Sequence, residues 1–389
     1  MQAVTLKENI YWIGGIDWDL RNFHGYLTQR GSTYNAYLII DEKITLIDTV
    51  KHNLADEMLT RISAVIDPSK IDYIISNHVE MDHSGSIPAV KAVAKNAVII
   101  TSSPHGEKDL KAHYGGDWEY KTVKSGESLS LGKKSLTFLH TPMVHWPDNM
   151  ISYMPEEKIL FSNDAFGQHL ATSQRFDNEL PLDIIFEEAQ KYYANIVLPY
   201  GTQVQKALDG AKDLDIKMIA PSHGIIWRKH IDDLLAEYIK WSSNTTEEKA
   251  SIIYDTMWHS TEKIAYAVQS AFEEKGIKTH MFNLQTNHIS DIMTDLITSK
   301  YICVGSPTLN NGIMPSVSAF LTYMKGLAPK GRIGLAFGSY GWGGQSIGII
   351  ENILKECKFE LLDESIKVQF IPSEEALARI KDNLIKNIK

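Results

Sequence analysis

Cysteine is nearly absent from this chain. Cys303 and Cys357 are the two among 389 residues, too few for a disulfide framework or a four-thiolate metal site. A reducing cytoplasm is the expected setting, and Cys303, inside an apolar run, is expected to pack rather than react. Long apolar runs are missing as well: none approaches the ~20 residues that span a bilayer. Residues 1–7 lack the basic start and apolar stretch of a signal peptide. Positive charge is not in excess. A net charge of −9 gives no support for binding nucleic acid or anionic membrane and mainly favours solubility. There is no internal repeat and no low-complexity tract. Hydrophobic residues at 43% and charged residues at 22% also exclude disorder on a large scale. A chain of this length is expected to hold two or three domains.

What is present is concentrated in one hexapeptide. Residues 78–83 read His-Val-Glu-Met-Asp-His, and four of these six side chains can donate nitrogen or oxygen to a metal. The cluster follows Ile71–Ser76, an apolar run with the character of a buried strand, and precedes Ser84–Ala94, which reads as a turn into a helix. Ligands at the end of a buried strand are held to tight geometry. Two imidazoles and two carboxylates without a thiolate argue against structural zinc and suit iron, manganese or catalytic zinc. Four donors in six residues exceed the needs of one open catalytic ion, so two ions are expected. Further donors stand at or just past the ends of other short apolar runs: His145 after Leu136–Leu139, Asp164 after Lys158–Asn163, and His223 after Met218–Pro221. Asp48, ending Ile44–Asp48, follows the same pattern.

From a polar linker at Ser242–Lys249 onward the rhythm changes. Strand-like runs at Ala250–Tyr254, around Met281–Phe282, and at Tyr301–Gly305, Arg332–Phe337 and Lys367–Ile371 alternate with helical stretches. Five βα units predict a doubly wound parallel sheet, with ligands at the carboxyl ends of the strands. Three loops stand at such ends. Asp255–Thr261 opens a helix and is rich in hydroxyls, a setting that attracts phosphate; its candidate contacts are Thr256, Met257, Trp258, His259, Ser260 and Thr261. Ser306–Gly312 offers Pro307, Thr308, Leu309 and Asn310. Gly338–Gly344 offers Ser339, Tyr340, Gly341, Trp342 and Gly343, where glycines let the backbone approach a flat ring and the aromatics can stack on it. One phosphate loop and two ring-contacting loops suit a mononucleotide, FMN, and this half resembles a flavodoxin, although His259 stands where the usual pattern has glycine.

The first half, residues 1–249, gathers strands before and after helices, the αββα sandwich arrangement. Its series Asp48, His78, Glu80, Asp82, His83, His145, Asp164 and His223 resembles the metallo-β-lactamase superfamily. Most hydrolases of that superfamily carry histidine at the second position of the cluster, where Glu80 stands here. With the flavodoxin-like residues 250–389, the whole chain resembles the flavodiiron proteins. The resemblance implies a non-haem diiron site in which His78, Glu80 and His145 hold one iron, Asp82, His83 and His223 hold the other, and Asp164 bridges. Asp48 would support the ligands. Asp82 and His83 reach one ion only if the loop bends sharply between them. A carboxylate in place of an imidazole adds negative charge and favours oxidised iron over zinc, which has no redox chemistry.

The resemblance also implies the reaction: FMN passes electrons to two irons that reduce O2 to water, NO to N2O, or both. His24 and one of Tyr192 and Tyr193, with Tyr193 the choice, match the family's pocket residues and would donate hydrogen bonds to the oxidant. Trp146, next to His145, would pack against the site and keep it dry. Two cysteines cannot supply an appended rubredoxin domain, so electrons are expected from a separate donor, rubredoxin by family default or a reduced deazaflavin. A head-to-tail homodimer, possibly a tetramer, is expected to bring the flavin of one chain to the irons of the other. The alternative is a dinuclear zinc hydrolase carrying an accessory flavodoxin domain, and a third reading is a flavodoxin-like electron carrier whose metal half is structural.

Overall fold

The computed structural model describes residues 1–389. They divide into two compact units. One comprises Met1–Tyr192 and Thr202–Ile239, the other Tyr193–Gly201 and Lys240–Lys389.

The first unit is built on a seven-stranded and a five-stranded sheet. In the larger sheet Tyr37–Ile39, Thr45–Ile47, Tyr73–Ser76 and Val98–Ser102 are consecutive neighbours. Tyr37–Ile39 and Thr45–Ile47 form an antiparallel hairpin: Tyr37 pairs with Ile47 and Ile39 with Thr45. These strands are apolar at successive positions because both faces are covered. Tyr37, Ile39, Ile47, Ile75 and Ile100 point into the core between the sheets, with Phe138, Met150 and Phe161 of the smaller sheet opposite. Leu38, Leu46, Ile74 and Ile99 point the other way, against Met58 and Ile62 of the helix Ala55–Ser63 and Val90 of the helix Ile87–Val93. The alternation is the period-two geometry of a strand buried on both sides.

Every polar residue expected at the metal site lies at a strand end or in the turn after one. His78 and Glu80 follow Tyr73–Ser76 directly, and Asp164 follows Ile159–Asn163. His223 follows Met218–Pro221. The sharp bend required at Asp82–His83 is supplied by one helical turn, Met81–Ser84. That turn places both side chains in the interior.

The second unit is a parallel sheet in the order Lys278–Asn283, Glu247–Tyr254, Ser299–Gly305, Ile333–Tyr340, with Glu360–Leu361 and Ile366–Gln369 both pairing the last of these. The first strand begins at Glu247, within the stretch expected to be linker, so a boundary near residue 249 falls inside it. Cys303 lies fully buried in the core of this unit beside Ile252 and Leu335. No helix of the structure is long and apolar enough to cross a membrane.

Candidate metal centre and flavin cavity

Two ligand groups face one carboxylate. His78, Glu80, His145 and Asp164 form one, and Asp82, His83 and His223 form the other, with donor atoms within 4.8 Å of one another in each. Asp164 belongs to both by distance. Its Oδ2 lies 3.7 Å from His78 Nε2 and 3.3 Å from His145 Nε2, while its Oδ1 lies 2.9 Å from His83 Nε2 and 3.5 Å from His223 Nε2. Each half is completed by a second carboxylate. Glu80 Oε2 stands 3.4 Å from His78 Nε2 and 3.3 Å from His145 Nε2. Asp82 Oδ2 stands 3.3 Å from His223 Nε2, and Asp82 Oδ1 stands 3.3 Å from His83 Nε2.

The donors fit metal ions. Both oxygens of Asp82, Oδ2 of Asp164 and both nitrogens of His83 are buried without a hydrogen-bond partner, and unpaired buried groups of this kind call for a charged partner. The electrostatics say the same. Burial opposes a charge on His145 and His223, yet the close carboxylates of Asp164, Glu80 and Asp82 raise the two imidazoles to about 9 and about 10. Burial would raise Asp164, but His83, His145 and His223 hold it well below the usual carboxylate range. A cluster of carboxylates draws positive charge inward, and two cations held by these groups would supply it.

The residues behind the ligands set their orientation. Asp148 Oδ2 lies 2.9 Å from His78 Nδ1 and accepts from the Val79 amide at 2.8 Å. The Thr33 carbonyl lies 2.9 Å from His223 Nδ1. A carbonyl can only accept, so His223 carries its proton on Nδ1 and turns Nε2 inward as a lone-pair donor. Asp48 is no ligand: it accepts from the Asn77 amide at 2.8 Å, from Asn77 Nδ2 at 3.0 Å and from Asn163 Nδ2 at 3.2 Å. It thereby ties the loops that lead into His78 and Asp164. Trp146 stands edge-on to the His78 ring at 5.0 Å.

His24 reaches Glu80 Oε1 at 3.1 Å with 71% of its side chain exposed. Of the two tyrosines, Tyr192 packs on His169 at 5.1 Å and on the candidate ligand His223 at 5.8 Å, while Tyr193 packs on Trp241 at 5.3 Å. Adjacent helical residues point about 100° apart, and the helix Leu182–Tyr192 widens into a π-type turn at Tyr193–Val197. The ring beside the metal-facing histidines is therefore that of Tyr192, where Tyr193 was expected. His169 and Asp148 were not anticipated, although each lies shortly after a ligand, Asp164 and His145 respectively.

In the second unit a cavity of about 760 Å³ gathers the three expected loops. Met257, Trp258 and Ser260 of the first, Pro307, Thr308, Leu309 and Asn310 of the second, and Ser339, Tyr340, Gly341, Trp342 and Gly343 of the third all line it. Thr261 instead points inward to Ser339 Oγ at 2.8 Å, and His259 turns aside to Glu262 at 2.7 Å. His259 takes φ 61° at the residue before the helix Ser260–Glu274, the left-handed conformation that explains why glycine is usual there. Thr256 Oγ1 is buried without a partner, a hydroxyl available to an anionic group at that helix start. Asn311, Phe370 and Ile371 line the cavity as well. Phe370 and Ile371 follow the strand Ile366–Gln369, outside the three loops considered. The shape, aromatic walls and polar loop suit FMN.

Comparison with known proteins agrees with both halves. Residues 33–224 match the family model described as ODP family beta lactamase, and residues 252–381 match flavodoxin. The nitric oxide reductase of Moorella thermoacetica is 45% identical over 384 residues, 97% of this chain and 96% of that protein. The rubredoxin-oxygen oxidoreductase of Megalodesulfovibrio gigas is 41% identical over 387 residues, 98% and 96% of the two chains. The solved structure of the flavodiiron protein from Giardia intestinalis superposes with a TM-score of 0.97 at 35% identity, covering 100% of this chain and 96% of that one. The chain belongs to the flavodiiron proteins. Its metallo-β-lactamase-like and flavodoxin domains, and its standing as an oxidoreductase, follow from whole-length similarity to named reductases. In this flavodiiron protein the carboxylate at Glu80 takes the place of the histidine common in the hydrolases. The accessory-flavodoxin hydrolase reading is not favoured.

Proposed function

We propose that this flavodiiron protein takes electrons from an external donor and reduces O2 to water, NO to N2O, or both, at a pair of irons. The observation that carries this reading is Asp164, whose two oxygens each face a separate histidine–carboxylate group. FMN and iron, when bound, supply one-electron relay, storage of electron pairs and Lewis acidity. The protein's own part is positional. His78, Glu80 and His145 would hold one ion, and Asp82, His83 and His223 the other. His24, which hydrogen-bonds Glu80 at the exposed side of the site, would donate to an oxidant. Tyr192, rather than Tyr193, would form the pocket wall beside His223. Trp146 excludes water next to His78. The cavity bounded by Trp258, Tyr340 and Trp342 would hold the flavin ring, with Thr256 and Ser260 near its phosphate.

The donor that fits is a rubredoxin-type protein, since the rubredoxin-oxygen oxidoreductase at 41% identity carries that name and this chain has two cysteines. The setting proposed is cytoplasmic, and the assembly a head-to-tail homodimer. Anaerobic steady-state kinetics with each gas and an artificially reduced donor test the reading, together with metal analysis. Turnover of O2 or NO with iron bound supports it. Zinc alone, in protein made with ample iron, would overturn it in favour of hydrolysis. Glu80→Ala is expected to abolish turnover while FMN content stays unchanged.

A further inference from the structure

Both proposed reductions consume protons as well as electrons. One O2 with four electrons and four protons yields two waters; two NO with two electrons and two protons yield one N2O and one water. The imidazoles around Asp164 would be engaged by the metals, so the protons need another carrier.

Glu188 stands one turn before Tyr192 on the helix Leu182–Tyr192, on the same face. Tyr192 packs on His169 and on the ligand His223. Glu188 is 2% exposed at its side chain, and its Oε1 accepts from Arg30 Nε at 2.9 Å. Arg30 is 39% exposed and also reaches the exposed Glu187 at 3.2 Å, so the ion pair joins solvent to interior. Two residues along the chain from Arg30, Ser32 Oγ lies 2.8 Å from His169 Nδ1. His169 is fully buried and its Nε2 has no partner.

We propose that Glu188 is the buried carboxyl that takes protons from solvent beside Arg30 and releases them toward the metal pocket, along the face made by Tyr192 and His169. The proton binds the Glu188 carboxylate as an O–H and leaves it again for the pocket, so the residue returns to its starting state each time. This rests on the oxidant-reductase reading and adds a route to it. The surroundings poise the group. Burial raises its pKa, Lys191 and Arg30 pull it back, Glu187 pushes it up again, and the balance falls at about 7. A proton carrier works best with a pKa near the operating pH.

The test is Glu188→Gln as holoenzyme, with iron and FMN measured alongside turnover. The expected kcat is lower by about 100-fold, the low end for loss of an acid–base group, with KM for the gas unchanged and both cofactors at wild-type content. In the wild type kcat falls as pH rises through the carboxyl's pKa; that limb is absent from Glu188→Gln and partly restored in Glu188→Asp. Arg30→Gln moves the limb to higher pH, because Arg30 stabilises the charged carboxylate. Infrared titration gives a readout independent of activity: a protonated-carboxyl band titrating near neutral pH, missing from Glu188→Gln. Wild-type kcat and pH limb in Glu188→Gln, survival of the band, or loss of iron with no change in rate per iron would each overturn the proposal. A wild type inert toward both gases would sink the reductase reading instead, and the infrared band would still decide whether Glu188 holds a proton.

Discussion

At the scale of single residues, Asp148 shows how much of a metal site lies behind its ligands. It touches no proposed ion. Its Oδ2 fixes His78 from the rear, at 2.9 Å from Nδ1, and binds the Val79 amide between two ligands. A carboxylate so placed orients the ring and raises its basicity. Asp148→Ala should therefore weaken iron binding roughly 10–100-fold while the flavin half keeps its cofactor. Competition with a chelator, read against flavin absorbance, checks this; unchanged iron retention would refute it. The candidate ligands were legible in the sequence because each His, Glu or Asp stands at or shortly after the end of an apolar run, and the family resemblance sorted them between two ions. Asp148 was not legible. It does follow His145 in the chain, but its role exists only once that loop folds back on His78. Tyr192 and Tyr193 could not be told apart for a related reason. Neighbouring aromatics on one helix carry equal local signals, and only packing on His169 or on Trp241 separates them.

At the scale of elements, the second unit carries a buried ion pair that the alternation of strands and helices did not suggest. Lys249 Nζ, on the strand Glu247–Tyr254, lies 3.0 Å from Asp295 Oδ1 and 2.7 Å from Thr298 Oγ1. Ser251 Oγ lies 2.5 Å from Asp295 Oδ2, and His280 Nδ1 lies 2.5 Å from Asp295 Oδ1. Two neighbouring strands are thus tied to the helix Ile289–Leu296, which carries Asp295. Removing one partner strands the other charge in the interior, a loss of about 3–5 kcal/mol in general. Ser251 and His280 remain within hydrogen-bond distance of Asp295, so Lys249→Met is expected near the lower end, about 3 kcal/mol. Urea unfolding followed by flavin release measures it. A midpoint shift of less than about 1 kcal/mol equivalent would show the pair to be dispensable. The pH dependence has a definite sign. Burial raises the Asp295 carboxyl, but Lys249, Ser251 and His280 outweigh it and hold the pKa below its ordinary value. The pair's contribution is present above the ordinary carboxylate pKa of about 3.9 and is lost as pH falls through the lower folded value. This half should loosen on strong acidification and not between neutral and mildly basic pH. The sequence placed Lys249 at the end of a polar linker because Thr245–Lys249 contains no apolar residue, whereas the strand starts at Glu247 through backbone pairing of Glu247 with Ser299. Edge polarity hides a strand start that only sheet register reveals.

At the scale of the whole molecule, the open question is which flavin serves which metal pair. Trp258, Trp342, Phe370 and Ile371 line the flavin cavity and are exposed, Trp342 to 92%. A rim this apolar is the kind of surface that a partner covers. The proposed head-to-tail dimer makes a prediction that separates it from electron transfer within one chain. Take one variant, Glu80→Ala, with its flavin intact and its metal site disabled. Take a second, Leu309→Trp, with a bulky ring filling the flavin cavity and its metal site intact. Each homodimer should be inactive, and flavin and iron content should confirm the intended defect in each. In the mixed dimer, purified on two different tags, the only working flavin and the only working metal pair lie on different chains. Transfer across the interface restores turnover there with one productive pairing per dimer, whereas transfer within a chain leaves the mixture inert. Restored turnover that disappears when the dimer is diluted to monomers would complete the case for exchange across the interface. A mixed dimer that holds both cofactors and stays inactive would show that each chain must serve itself.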